Sequence, residues 1–183
     1  LALSAIKNND KVGFIAFTDR IEKFIPPRKG LRHVLRVIRE ALYFKPQGRA
    51  TDITVALEYL NRVTTRKTVA FIISDFFSPA FKTMLAVTNK RHDVVAVTIT
   101  DPREMELSDA GLVALFDPET QRMSLVDTSN AGVRRAYAQH NQPRIRERET
   151  LFHALHVDVI DLRTDMPYAQ SLMKFFRTRE RRM

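Results

Sequence analysis

Two short stretches of this chain carry oxygen-bearing side chains where a ligand could be met: Gly48-Arg-Ala-Thr-Asp52, just before a helical pattern, and Ser74-Asp-Phe-Phe77, just after an apolar run. In open α/β sheets ligands gather beyond the carboxyl ends of the strands, and both stretches fit that place. Each also has a purely local reading. Thr51 or Asp52 would cap the helix that follows, since a short oxygen side chain there accepts from an unpaired N–H of the first turn. Asp75 would order the turn in which it stands.

Other reactive groups carry less. The chain has no cysteine, which excludes disulfides, thiolate metal sites and a thiol nucleophile. Of the five histidines, His33, His92, His140, His153 and His156, only His153 and His156 stand three apart near a helix end, and packing or surface roles are expected for all. The loops Gly-x-x-x-x-Gly-Lys-Ser/Thr, Gly-x-Gly-x-x-Gly and Gly-x-Ser-x-Gly are absent, so nucleotide binding and acyl transfer lack their usual cradles. Asp19, Asp101 and Asp109 lie in turn-like stretches, where aspartate commonly bonds its own backbone. A divalent-metal hydrolase would centre on Asp75, Asp52 and Asp101, yet no residue stands out as its general base. The expectation is a chain that is not an enzyme.

The elements that must position these loops follow from periodicity. Residues 1–6 read as the last turns of a helix, 12–17 as an apolar strand, and 21–25 as a second strand of an antiparallel hairpin ended by Pro26-Pro27. Leu31, Val34, Leu35, Ile38, Ala41 and Leu42 recur at helical spacing, and Ile53, Ala56, Leu57 and Leu60 do so in the next helix. Residues 68–74, apolar on both faces, read as a central strand of a parallel sheet. A helix over 79–90, a strand over 93–100, a hairpin of 112–116 with 122–127 around Asp117-Pro-Glu-Thr120, a long helix over 133–155, a strand over 157–162 and a helix over 168–179 complete the reading.

The resulting expectation is one α/β domain over residues 1–183, a mainly parallel doubly wound sheet with helices on both faces, one antiparallel edge strand and an inserted β-hairpin. With 44% hydrophobic and 28% charged residues the composition is that of an ordinary folded domain. No apolar run is long enough to cross a bilayer. With cysteine absent, the expected location is cytoplasmic. The net charge is +9, and residues 134–183 hold eleven basic against six acidic side chains, ending in Arg177-Thr-Arg-Glu-Arg-Arg. That bias allows a nucleic-acid-binding module using the basic C-terminal helices, although no stacking platform accompanies it.

The order of Asp10-Lys-Val-Gly-Phe-Ile-Ala-Phe-Thr-Asp-Arg20, Pro26-Pro-Arg-Lys-Gly30, Gly48-Arg-Ala-Thr-Asp52, Ile72-Ile-Ser-Asp-Phe76 and Arg91-His-Asp-Val-Val-Ala-Val97 resembles the bacterial domain of unknown function 58 family. The likeness continues through Thr100-Asp-Pro-Arg-Glu104, Val126-Asp-Thr128, Leu162-Arg-Thr-Asp165 and Phe175-Phe176. This resemblance implies a von Willebrand factor A-like fold, in which three loops at one sheet edge hold a divalent cation, Mg²⁺ or Mn²⁺, in a metal ion-dependent adhesion site. The pattern's second loop supplies a Thr, matched by Thr51, and its third an Asp, matched by Asp75. Its first loop, Asp-x-Ser-x-Ser, has no counterpart in these residues, and the first strand is expected to be missing with it. The resemblance further implies a protein-interaction domain that works with a MoxR-type AAA+ ATPase in assembling or activating another protein complex.

Overall fold

The computed structural model describes residues 1–78, 80–116 and 122–180. The expected turn Asp117-Pro-Glu-Thr120, and Arg181 and Arg182 of the basic tail, lie outside the described residues. Backbone contacts divide the chain into two compact units, Leu1–Thr65 with Ser78–Leu85, and Arg66–Phe77 with Ala86–Met183.

The first unit opens with helix α1 (Ala2–Lys7) and the antiparallel strands β1 (Val12–Phe17) and β2 (Ile21–Arg28). The second strand does not stop at Pro26-Pro27, as the sequence suggested, but runs on to Arg28. Its pairing shifts register between Val12 and Phe14, and such an irregularity tolerates residues without an N–H. Gly13 suits this spot, since a Cβ there would lie 3.0 Å from Pro27 Cγ. Helix α2 (Leu31–Tyr43) packs against β1 through buried Val34 and Val37. Helix α3 (Ile53–Val63) buries Ile53 and Leu57, and its Tyr59 ring meets Phe24 of β2 edge to face at 5.3 Å.

The second unit is built on a parallel sheet of β3 (Val69–Ser74), β4 (Asp93–Thr100) and β7 (Asp158–Arg163) in that order. Strand β4, not β3, is central. Five consecutive residues of β4, Val94 to Thr98, are buried, whereas Val69 and Ile73 of β3 are 50% and 55% exposed. An apolar run alone does not separate a central strand from an edge strand, because both can face a covering helix. Val95, Val97 and Ile160 form a buried cluster beneath Phe71, Leu162 and, from helix α7 (Tyr168–Glu180), Leu172 and Phe175.

Helix α4 (Lys82–Arg91) leads into β4, and a single turn α5 (Pro102–Met105) follows it. The strands β5 (Leu112–Phe116) and β6 (Met123–Asp127) form the expected hairpin. Helix α6 (Ala131–Ala154), which accommodates Pro143 in its interior, runs against β7. Among the described residues both antiparallel pairs are separate two-stranded sheets, so the expected antiparallel edge strand does not extend the parallel sheet.

Candidate functional site

The carboxyl end of β3 delivers the chain into a turn whose conformation is fixed from several sides. The Ser74 Oγ accepts from Phe76 N at 3.0 Å, and Asp75 Oδ1 accepts from Phe77 N at 3.1 Å. Phe76 takes φ +61°, a left-handed conformation costly for a bulky residue. Burial compensates: Phe76 is 4% exposed and meets the ring of Phe152, on α6, edge to face at 4.9 Å.

A buried arginine completes the clamp. Arg148, also on α6, is 9% exposed and donates from Nη1 to the Asp75 carbonyl at 2.7 Å. Burial pushes its guanidinium pKa down, while the charges of Asp161, Glu149 and Asp75 draw it back up. Asp161 in turn accepts from Thr98 Oγ1 at 2.6 Å, tying β7 to β4 on that face. Arg144 stacks over the Phe77 ring at 4.3 Å. The result is an exposed Asp75 carboxylate on a backbone held by a hydrogen bond, a buried ring and a cation over an aromatic face.

The other expected loop belongs to the first unit. Glu22 organises it: Oε1 accepts from Gly48 N at 2.7 Å, Thr18 Oγ1 at 3.0 Å and Gln47 N at 3.2 Å. These bonds, led by that from Gly48 and opposed by burial, hold the Glu22 carboxyl below the usual range. Gly48 is required by close approach, because a Cβ there would lie 2.2 Å from Thr18 Oγ1. Asp52 N donates to Thr18 O at 2.9 Å, and Asp52 Oδ1 accepts from Thr54 N at 2.8 Å, so Asp52 is the cap of α3. Thr51 precedes it, half-buried. Sequence reasoning missed Glu22 and Arg148, since each acts on a loop far away in the chain and neither sits in a recognisable motif.

The remaining candidates have local roles. Asp101 caps α5 by accepting from Arg103 N at 2.9 Å, and Asp109 lies 3.4 Å from Arg134. His153 and His156 are exposed. Arg179 of the basic C-terminal helix is bound to Asp93, lies 3.4 Å from Asp158, and stacks on Phe175 at 5.7 Å, so part of that charge fastens α7 to the sheet.

A carboxylate and a hydroxyl are the donors a hard cation such as Mg²⁺ takes, and such a cation collects about six oxygens. By donor type Asp75 of the second unit suits such a cation, and Thr51 of the first unit does so by itself. Asp75 Oδ1 serves the turn. Among the described residues, no three His, Asp or Glu side chains gather as a metal cluster. No described helix is long and apolar enough to cross a membrane.

Comparison with known proteins sets this geometry among relatives. A family described as "Protein of unknown function DUF58" matches residues 1–147. An uncharacterized protein of Mycobacterium tuberculosis strain H37Rv is 30% identical over 163 residues, covering 86% of this chain and 50% of the relative. An uncharacterized protein of Mycobacterium avium is 29% identical over 161 residues, covering 86% of this chain and 94% of its own length. The chain thus spans about half the length of the M. tuberculosis relative and of its M. bovis counterpart. Among solved structures, the conserved hypothetical protein BatB of Bacteroides thetaiotaomicron aligns with TM-score 0.52 at 14% identity, over 98% of this chain and 84% of that one. An aerotolerance-related membrane protein of Bacteroides fragilis aligns with TM-score 0.50 at 13% identity, over 94% and 82%. At such identities the likeness concerns the fold.

Proposed function

The chain belongs to the DUF58 family, and from that premise we propose that it is a non-enzymatic protein-interaction domain of von Willebrand factor A-like fold, assisted by a divalent cation. The observation that carries this reading is the Asp75 turn. An exposed carboxylate stands beyond a parallel strand, on a backbone that Arg148 and Phe76 hold in one conformation. A fixed carboxylate keeps its oxygen aimed without an ordering cost at the moment of binding.

In this reading Asp75 is one ligand of Mg²⁺ or Mn²⁺, and Thr51 is the hydroxyl donor that the resemblance supplies. A bound cation of this kind would offer an open coordination position to a carboxylate of a protein partner. Arg148 positions the Asp75 backbone, and Phe77 N fixes the carboxylate rotamer. A MoxR-type AAA+ ATPase is the partner proposed, on the strength of the sequence resemblance, with a cytoplasmic setting.

Calorimetric titration with Mg²⁺ and Mn²⁺, on this chain and on a longer one extended upstream, tests the proposal against Asp75→Ala in each. Saturable binding lost in Asp75→Ala is the expected result. Binding that survives the substitution, or none in either length, overturns the metal-assisted mechanism.

A further inference from the structure

Within the first unit, helix α2 leaves an apolar stripe uncovered. Helix α2 has two apolar faces. Val34 and Val37 are buried against the unit, as expected of an amphipathic helix. Leu31, Leu35 and Leu42 are not: they are 56%, 51% and 71% exposed. At about 100° per residue these three leucines fall within about 40° of one another, with half-buried Ile38 beside them. The spacing 31, 35, 38, 42 is that of a coiled-coil seam, one helix wide.

Charge runs along one border of this seam. Arg32, Arg36 and Arg39 are all exposed and fall on its side away from the buried face. Residues 23–39 contain six cations, Lys23, Arg28, Lys29, Arg32, Arg36 and Arg39, and no carboxylate. Within the unit the ridge is barely neutralised. Glu40 serves Lys23 at 3.3 Å and Arg39 at 3.6 Å, while neither Arg32 nor Arg36 has an acidic partner among the described residues.

The start of the helix adds to the imbalance. It has Gly30 at its N-cap with no side-chain cap and no acid in its first turn, and Lys29 and Arg32 flank it. Cations at the positive end of a helix dipole are unfavourable, and incoming carboxylates would relieve them.

We propose that α2 docks an amphipathic helix of a protein partner, about three turns long, whose apolar face is bordered by aspartate or glutamate. The leucines would fill that helix's seam and the arginines would meet its acids. A protein helix suits the surface better than a lipid bilayer, because the exposed apolar stripe is narrow and α2 is already packed on the unit along the adjoining face of Val34 and Val37. Nucleic acid would leave the leucines unused. This inference extends the protein-interaction reading to a second surface and does not depend on Asp75.

Fluorescence anisotropy with two synthetic helices of about 18 residues tests it in EDTA, one peptide carrying leucines at seam spacing flanked by glutamates, the other identical but flanked by lysines. The glutamate peptide should bind, and Arg32→Glu with Arg36→Glu should weaken it at least about tenfold and favour the lysine peptide instead. Leu35→Glu should abolish binding of the glutamate peptide, with circular dichroism reporting whether it folds. The charge reversal decides the matter if it does not. Asp75→Ala should bind the glutamate peptide unchanged, which separates this surface from the metal reading. Absence of saturable binding, equal binding of both peptides, or binding only to vesicles containing phosphatidylglycerol would overturn the proposal. So would a self-associated chain whose dimer disappears in Leu35→Glu.

Discussion

Single residues hold the loops of this protein in place, and the chain hides the most important of them. Arg148 and Glu22 reach backbone atoms 73 and 26 positions away, distances no local pattern encodes. The local roles of Asp52 as a helix cap and of Asp75 in its turn were legible because they lie at a helix start and a strand end, where residue type and position speak together. His92 was legible only as a histidine. It is 1% exposed, and neither ring nitrogen has a hydrogen-bond partner among the described residues. Burial, helped by the charge of Arg91, lowers its pKa from 6.5. The folded chain therefore resists a proton that the unfolded chain accepts. Stability should decline as pH falls through 6.5 and stay level above it, as far as this group is concerned. Urea midpoints at about pH 5.5 and about pH 7.5 should differ in the native chain and converge in His92→Leu. An unchanged difference would assign the pH dependence to other groups.

Elements with a strong period were read closely from the sequence, and those whose identity depends on neighbours were not. Helices α2 and α3 and strands β1 and β4 stand where the apolar spacing put them, since their own side chains decide the period. The extension of β2 through two prolines was hidden, because a missing N–H matters only where the partner strand needs it, and a register shift removes that need. The rank of β3 in its sheet was hidden for the same kind of reason. Strand order is set by what pairs on either side, and residues 69–74 look alike in either place. The start of α3 offers a direct test at this scale. Asp52→Ala removes the acceptor for Thr54 N and should cost about 1 kcal/mol in chemical denaturation, while Asp52→Asn should recover most of it. If Asp52→Ala proves neutral, the cap is not what starts the helix.

At the scale of the whole molecule the edge position of β3 in its sheet bears on behaviour in solution. Among the described residues its outer side pairs with no strand, and the run Val-Ala-Phe-Ile-Ile-Ser carries neither charge nor proline. An apolar edge without such guards invites pairing with another chain. Ile73→Lys should reduce concentration-dependent light scattering on warming, with circular dichroism unchanged. Equal scattering would place self-association elsewhere.

The parallel sheet also sets the order in which the molecule can be made. Thr98 of β4 and Asp161 of β7, joined side chain to side chain, are 63 residues apart. A ribosome adding about 5 to 20 residues each second must therefore run for several seconds between the emergence of one and the other. Throughout that interval β4, the most buried strand of its sheet, has a partner on one side only. Closing the long loop costs entropy before its contacts repay it, so docking of β7 is expected late in folding. A nascent chain stalled before residue 158 would be a natural client for chaperones that hold exposed strands.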